Sequence, residues 1–320
     1  MSNTRNPIND PPAAGLAPVT RIEGAFELPD ASPVQPHELT LDDTVQFRCH
    51  PGIACFNACC RNSDVTLTPY DIVRLKRRLN LTSDAFVARY TTPFELDFHG
   101  MPGLKLATRP GGCACCFLDE QRGCTVYQDR PVACRYYALG VMGIREKGTA
   151  VVKDRYFTVK EPHCLGHDEP QTQTVAAYRQ DQGVEQYDAM NRPWRDIIIK
   201  KRSGGPTVGA PSQRSLQLFD MCSYDVDSFK RFMQSPSFTE VFDVADEDIA
   251  AIVASDEDTL AFAMRFMAQV LFAEHSIPLR AAARERRIDE RQARMQAARE
   301  RHQAERDAQR DVYAQAGEDD

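Results

Sequence analysis

Ten of the eleven cysteines in this 320-residue chain lie between Cys49 and Cys164, and four of them, Cys49, Cys55, Cys59 and Cys60, fall within twelve residues. The others in the group are Cys113, Cys115, Cys116, Cys124, Cys134 and Cys164, while Cys222 stands alone in the second half. Such density forces a choice between disulfides and metal. The N-terminus, "MSNTRNPINDPPAAGLAPVT", has no apolar stretch behind basic residues and does not read as a secretory leader. No run approaches the roughly 18 apolar residues that a membrane span needs. The chain therefore reads as soluble and cytoplasmic, with no membrane partner. A reducing cytosol keeps thiols free, which turns a dense local cluster towards metal binding. Isolated Cys222 reads as a small buried hydrophobe.

The spacing narrows the chemistry. Cys55 and Cys59 are four apart, so on one helical turn their sulfurs would share a face. Adjacent side chains such as Cys59 and Cys60 diverge by about 100° in a helix and point to opposite faces in a strand. That pair suits two metal centres, or one larger cluster approached from two sides, better than a single zinc knuckle. Cys115 and Cys116 repeat the doubling, with Cys113 close by. Paired Cys-x2-Cys knuckles, ferredoxin spacing and the radical-SAM pattern Cys-x3-Cys-x2-Cys are all absent; Asn62 stands where the last would need its third cysteine.

The second run, "CACCFLDEQRGCTVYQDRPVACRYY", carries a resemblance. Its CxFL, then GC-x2-Y-x2-RP-x2-CR, behind a cysteine run ending in CC, resembles the YkgJ-type cysteine-cluster family, also described as a zinc- or iron-chelating domain. The matching positions are Cys115, Phe117, Leu118, Gly123, Cys124, Tyr127, Arg130, Pro131, Cys134 and Arg135, and Cys164-x-Gly166 fits the family's later cysteine. "LTPYDIVRLKRRL" looks like the helix which that family places after its CC pair. The likeness spans residues 45–168. It implies a ligand set of Cys49, Cys55, Cys59, Cys60, Cys115, Cys124, Cys134 and Cys164. Those eight would fill two four-thiolate sites or one multinuclear cluster, with zinc or iron as the metal and an iron–sulfur cluster included. Cys49-x5-Cys55 is longer than the family's usual Cys-x2-Cys. Cys113 and Cys116 are additional to the pattern, as spare ligands or redox-active neighbours.

Three functions follow as expectations: a metal-binding protein, an iron–sulfur-dependent protein-modifying enzyme, and a thiol redox or metal-handling protein. The enzyme enters because flagellin lysine methylases look like distant relatives of this cysteine pattern. No Gly-rich cofactor loop, Ser/His/Asp set or paired-carboxylate motif accompanies the cysteines to support it. Around the thiols, Arg130 and Arg135 are candidates to offset thiolate charge and donate hydrogen bonds to a bound centre. The alternative is that Arg130 caps a turn. His50, His163 and His167 flank ligand cysteines, and each could replace a thiolate or merely sit beside the site. Tyr127 and the aromatics of "RYY" are expected to pack around the centre.

The chain as a whole reads as α+β and α-rich. A loop-rich cysteine-cluster domain (40–168) follows a flexible arm (1–36). A helical region (170–275) comes next, and a long charged helix (278–316) ends the chain. Thr68 is a plausible N-cap with Pro69 at the first helical position, and Ile72, Leu75 and Leu79 recur at helical spacing. A second short helix is expected at "TSDAFVARYTTPF", entered through Thr82 or Ser83. "GMPGLKLATRPGG" reads as a hairpin or extended loop, and "TAVVKDRYFTVK" as a strand pair turning near Lys153-Asp154. Pro193 is expected to bend or restart its helix. The tail, almost wholly Ala, Arg, Glu and Gln, favours helix but offers too few apolar positions for a coiled-coil seam. It is either a solvated helix or a docking helix for a partner protein. Net charge of −7 argues against nucleic acid held by bulk electrostatics.

Overall fold

The computed structural model describes residues 32–316 apart from 98–99, 146–148, 150–151 and 204–210, together with two short strands, Val19–Ile22 and Phe26–Pro29, that pair antiparallel. Most of the arm expected over residues 1–36 lies outside the described residues. The protein is α+β and helix-rich. It divides into two compact units, each assembled from two stretches of chain: Met1–Leu67 with Lys105–Lys200, and Thr68–Leu104 with Lys201–Asp320. All ten clustered cysteines fall in the first unit and Cys222 in the second.

The first unit is built of short strands and loops around one modest core. Val34–Leu39, Val152–Val159 and Leu139–Arg145 form a three-stranded antiparallel sheet with Val152–Val159 in the middle. Thr44–Gln46 pairs with Thr172–Thr174, and Leu118–Asp119 with Gly123–Cys124. Leu39, Val45, Phe47, Tyr136, Leu139, Tyr156, Val175 and Tyr178 make the core, and Tyr137 and Cys164 pack against it. Helix Val175–Gln182 ends at Gly183, whose φ of 61° is the left-handed geometry that a glycine stop adopts without strain. The next helix, Val184–Ser203, begins at once and runs through Pro193. Proline there forfeits one backbone hydrogen bond. Burial of Val184, Tyr187, Trp194 and Ile197 offsets that loss, so the break falls at Gly183 rather than at the proline.

The second unit is held by larger apolar side chains. Helix Pro69–Leu79 opens with a complete capping box: the Asp71 N–H donates to the Thr68 hydroxyl, and the Thr68 N–H donates to the Asp71 carboxylate at 2.8 Å. Tyr70, Ile72, Val73 and Leu75 on its inner face are buried. Ser83–Tyr90 follows from Thr82, which makes no side-chain cap. Strands Thr91–Glu95 and Pro102–Leu106 are sheet neighbours. Gly103 is required there, because a Cβ would stand 2.7 Å from the Phe94 ring. Gln213–Tyr224, Val226–Met233, Asp246–Ala254 and Asp256–Phe272 supply the remaining helices, around a cluster of Phe229, Phe232, Phe238, Phe242, Phe262 and Phe266 with ring centroids 4.8–6.5 Å apart. Each such pair contributes about 0.5–1.5 kcal/mol beyond area burial. Lys76, 7% exposed, sits 3.0 Å from both Asp227 and Asp256. Cys222 is 1% exposed and behaves as the expected small hydrophobe.

Two local expectations change. Residues 152–159 are one continuous strand, not a pair turning at Lys153-Asp154, because Leu139–Arg145 pairs along residues 152–158 and Val34–Leu39 pairs with residues 156–159 on the other edge. Cys55 precedes the short helix Ala58–Arg61 and lies in a run of turns, so it shares no helical face with Cys59. The tail forms helix Ala281–Ala316, about 54 Å long at 1.5 Å per residue, with Ile288 and Met295 47% and 49% exposed.

Candidate metal centre

The loop from Phe47 to Arg61 meets the Cys113–Cys134 segment through the backbone. Asn57, in left-handed geometry at φ 66°, starts the one-turn helix that carries Cys59 and Cys60. The Cys115 N–H donates to the Cys60 carbonyl at 2.7 Å, and the Ser63 N–H to the Cys113 carbonyl at 2.9 Å. Gly123 (φ +79°) brings the Cys124 hairpin close enough that a Cβ would stand 3.3 Å from both Phe56 and Asn57. The Arg48 N–H donates to the Gly166 carbonyl at 3.0 Å. A Cβ on Gly166 would lie 2.5 Å from the Phe47 ring, so only glycine lets the Cys164 loop lie along residues 47–48. Cysteines distant in sequence are thus brought to one region of the first unit.

They fall into two neighbourhoods. Cys49, Cys55, Cys59 and Cys164 line one cavity of about 30 Å3, together with Tyr137 and His163. That is space for about two or three water-sized spheres. Burial pushes the Cys49 thiol up to about 11, reinforced by Cys59, Cys55 and Cys164, and opposed by the positive charge of Arg130. The Leu165 N–H donates to Cys55 Sγ at 3.2 Å. In the second neighbourhood, Cys134 and Cys115 act on Cys60, while Cys115 acts on both Cys116 and Cys124. Cys59 and Cys60 join the two, with their sulfurs 3.9 Å apart. Two ligands of one ion with metal–sulfur bonds of about 2.3 Å stand about 3.8 Å apart, so this spacing serves either one shared ion or two adjoining centres. The side chains do not diverge as far as an ideal helix suggested. Among the described residues, no three His, Cys, Asp or Glu side chains stand close enough together to ligate one ion as placed.

Within each adjacent pair one thiol is acidified at the other's expense. The contact between the two thiols holds Cys59 down at about 7 and pushes Cys60 strongly up. Cys115 is held down at about 7 by Cys116, with help from Arg109, and Cys116 is pushed up. Thiolates are the metal-binding form, so ligation by either pair releases protons.

The flanking residues sort themselves. Arg130 is buried; it donates to the Tyr127 carbonyl and Gln182 Oε1, as a turn cap would, and its charge opposes the upward shift of Cys49 and Cys124. Arg135 gives its donors to the carbonyls of Arg130, Gln182 and Gln128, and stacks over Tyr187, which is a fold-holding arrangement. His50 is engaged at both nitrogens, accepting from the Gly52 N–H and meeting Glu169 at 3.3 Å. His167 binds the Val159 carbonyl at 3.0 Å. His163 is the flanking histidine that lines the thiol cavity. Tyr127 is 54% exposed beneath Arg130 and shields little. Tyr136 is buried and bonded to Asp188, while Tyr137 lines the cavity. Arg109 went unnoticed in the sequence, where nothing in "ATRPGGC" marks it; the Thr108–Cys115 bridge brings it to the second thiol group.

Residues 48–165, 118 of the 320, match the model of the CxxCxxCC family, described as a "Putative zinc- or iron-chelating domain". The matched segment contains all ten clustered cysteines. Comparison with curated proteins and with solved structures finds no significant match. Among the described residues no helix is long and apolar enough to cross a membrane.

Proposed function

We propose that the CxxCxxCC domain chelates zinc or iron at two adjoining thiolate centres, one drawn from Cys49, Cys55, Cys59 and Cys164 and the other from Cys60, Cys115, Cys124 and Cys134. The observation that carries this reading is the cavity whose walls include four cysteines from two stretches of chain more than a hundred residues apart. Thiolate donors suit zinc and iron–sulfur clusters over hard cations such as Mg2+ or Ca2+. Four thiolates on one divalent ion leave two negative charges, and Arg130 beside Cys49 and Cys124, with Arg109 beside Cys115, is placed to offset part of them. Cys113 and Cys116 stay outside this set as neighbours. In a unit of short strands and loops, ligation would add folding free energy directly.

The test is metal and acid-labile sulfide analysis of anaerobically purified full-length chain. Two equivalents of zinc, or iron with matching sulfide, are expected per chain. Cys164→Ser should remove one centre and Cys134→Ser the other. Metal content unchanged by both substitutions overturns the assignment. Brown colour with sulfide would place the chain nearer the iron–sulfur alternative; a colourless zinc protein would exclude it.

A further inference from the structure

Tyr137 lines the four-cysteine cavity, and its hydroxyl oxygen is shut off from solvent without a well-formed hydrogen bond. A buried hydroxyl without a partner costs about 1–3 kcal/mol, so its position calls for a reason. The rest of the residue is fixed: its ring meets Phe47 edge-on with centroids 6.3 Å apart, and its carbonyl accepts from the Tyr178 hydroxyl. Only the hydroxyl is left uncommitted. Two acceptors lie within its reach, Cys164 Sγ and the Glu161 carboxylate. Glu161 already has a second partner, His163, at 3.4 Å.

We propose that Tyr137 is a positioning residue for the first thiolate centre, its hydroxyl donating to Cys164 Sγ once that sulfur is held as thiolate by metal. The inference rests on the chelation reading above. A metal-bound thiolate keeps lone pairs and negative charge, and a buried donor aimed at it both orients the sulfur and withdraws electron density. The orphaned donor is then satisfied in the loaded state, and Glu161 is left to His163.

The experiment uses the full-length chain, stripped of metal and titrated with Zn2+ against a chromophoric chelator, and with Co2+ for its thiolate-to-metal charge-transfer bands. Removing an outer hydrogen-bond partner weakens metal affinity by about 10- to 100-fold, so Tyr137→Phe should lower affinity at one of the two equivalents by about ten-fold and leave the other unchanged. Its charge-transfer band should move to longer wavelength, because the thiolate becomes a better electron donor. A purely structural tyrosine would not shift that band. Glu161→Gln, which keeps the ring and removes the charged competitor, should bind as tightly as the unaltered chain or tighter. Equal affinity and an unmoved band in Tyr137→Phe overturn the tyrosine's role while leaving chelation intact. Weakened binding in Glu161→Gln overturns it also, by showing the carboxylate as the partner that matters. If the unaltered chain binds neither metal, both readings fall together.

Discussion

The two units reach stability by different means. The second packs six phenylalanines together, five of them buried, and holds a lysine between two aspartates, so its helices have a core to stand on. The first has strands of two to eight residues and a smaller core, and it devotes ten positions to thiols. An apolar side chain stabilises wherever it is buried. A thiol in a loop stabilises only when something binds it. On the chelation reading, the first unit is conditional on its ligand, whereas the second carries its own driving force.

The largest effect should come from breaking that condition. Replacing Cys59 and Cys60 together by serine removes the shared members of both neighbourhoods. Structural zinc sites contribute on the order of 10 kcal/mol in small domains. Both metal equivalents and the near-ultraviolet signal of the first unit should vanish while most helical circular dichroism persists. Retention of metal by that double variant would break the comparison.

Phe229→Ala is the converse. Phe229 is fully buried and its ring meets those of Phe232, Phe262 and Phe266. Truncation should cost about 4 kcal/mol by denaturant unfolding and leave metal stoichiometry untouched.

Acid should separate the units by pH. Burial opposes ionisation of Asp227, but hydrogen bonds from Ser83 and Lys76 outweigh it and hold its carboxyl below the usual range. Asp256 is likewise lowered, with Lys230 and Lys76 outweighing burial, and the Arg77 hydrogen bond lowers Glu257. A carboxyl whose folded pKa is depressed contributes stability above its unfolded value of about 4, lost as pH falls through the folded value. The helical unit should therefore weaken only below about pH 4. With Cys49 pushed up to about 11 and Cys59 and Cys115 held at about 7, protons compete for the thiolates from the alkaline side through neutrality, so metal affinity in the first unit should fall as pH drops across that range. Chelator competition and thermal melting between pH 8 and 3 distinguish the two slopes. The smallest effect belongs to the tail: with Ile288 and Met295 half exposed, removing residues 296–316 should move the melting free energy by less than about 0.5 kcal/mol.

Features set by near neighbours were readable in the sequence. Thr68 and Pro69 start their helix as expected because a cap is decided within three residues. The C-terminal helices and the exposed tail follow from apolar period and composition alone. Features set by distant partners were not. Residues 152–159 carry a turn-like Lys-Asp step, yet two flanking strands hold them extended. Helix Pro69–Leu79 lies amid the cysteines in sequence but packs with Ser83–Tyr90, Gln213–Tyr224 and Asp256–Phe272. The cysteine types and spacing pointed to metal, but nothing linear assigned Cys59 to one neighbourhood and Cys60 to the other. Tyr137 stood out only as an aromatic beside Cys134; its hydroxyl gains meaning from Cys164, twenty-seven positions away.

The interleaving of the two units has a consequence during synthesis. Cys49 emerges from the ribosome 115 residues before Cys164. At about 5–20 residues per second, the leading thiols wait on the order of 6–23 seconds for their last companion. Throughout that interval they are open to oxidants and to any passing soft cation. The nascent chain is therefore most vulnerable to mispairing while it is still being made.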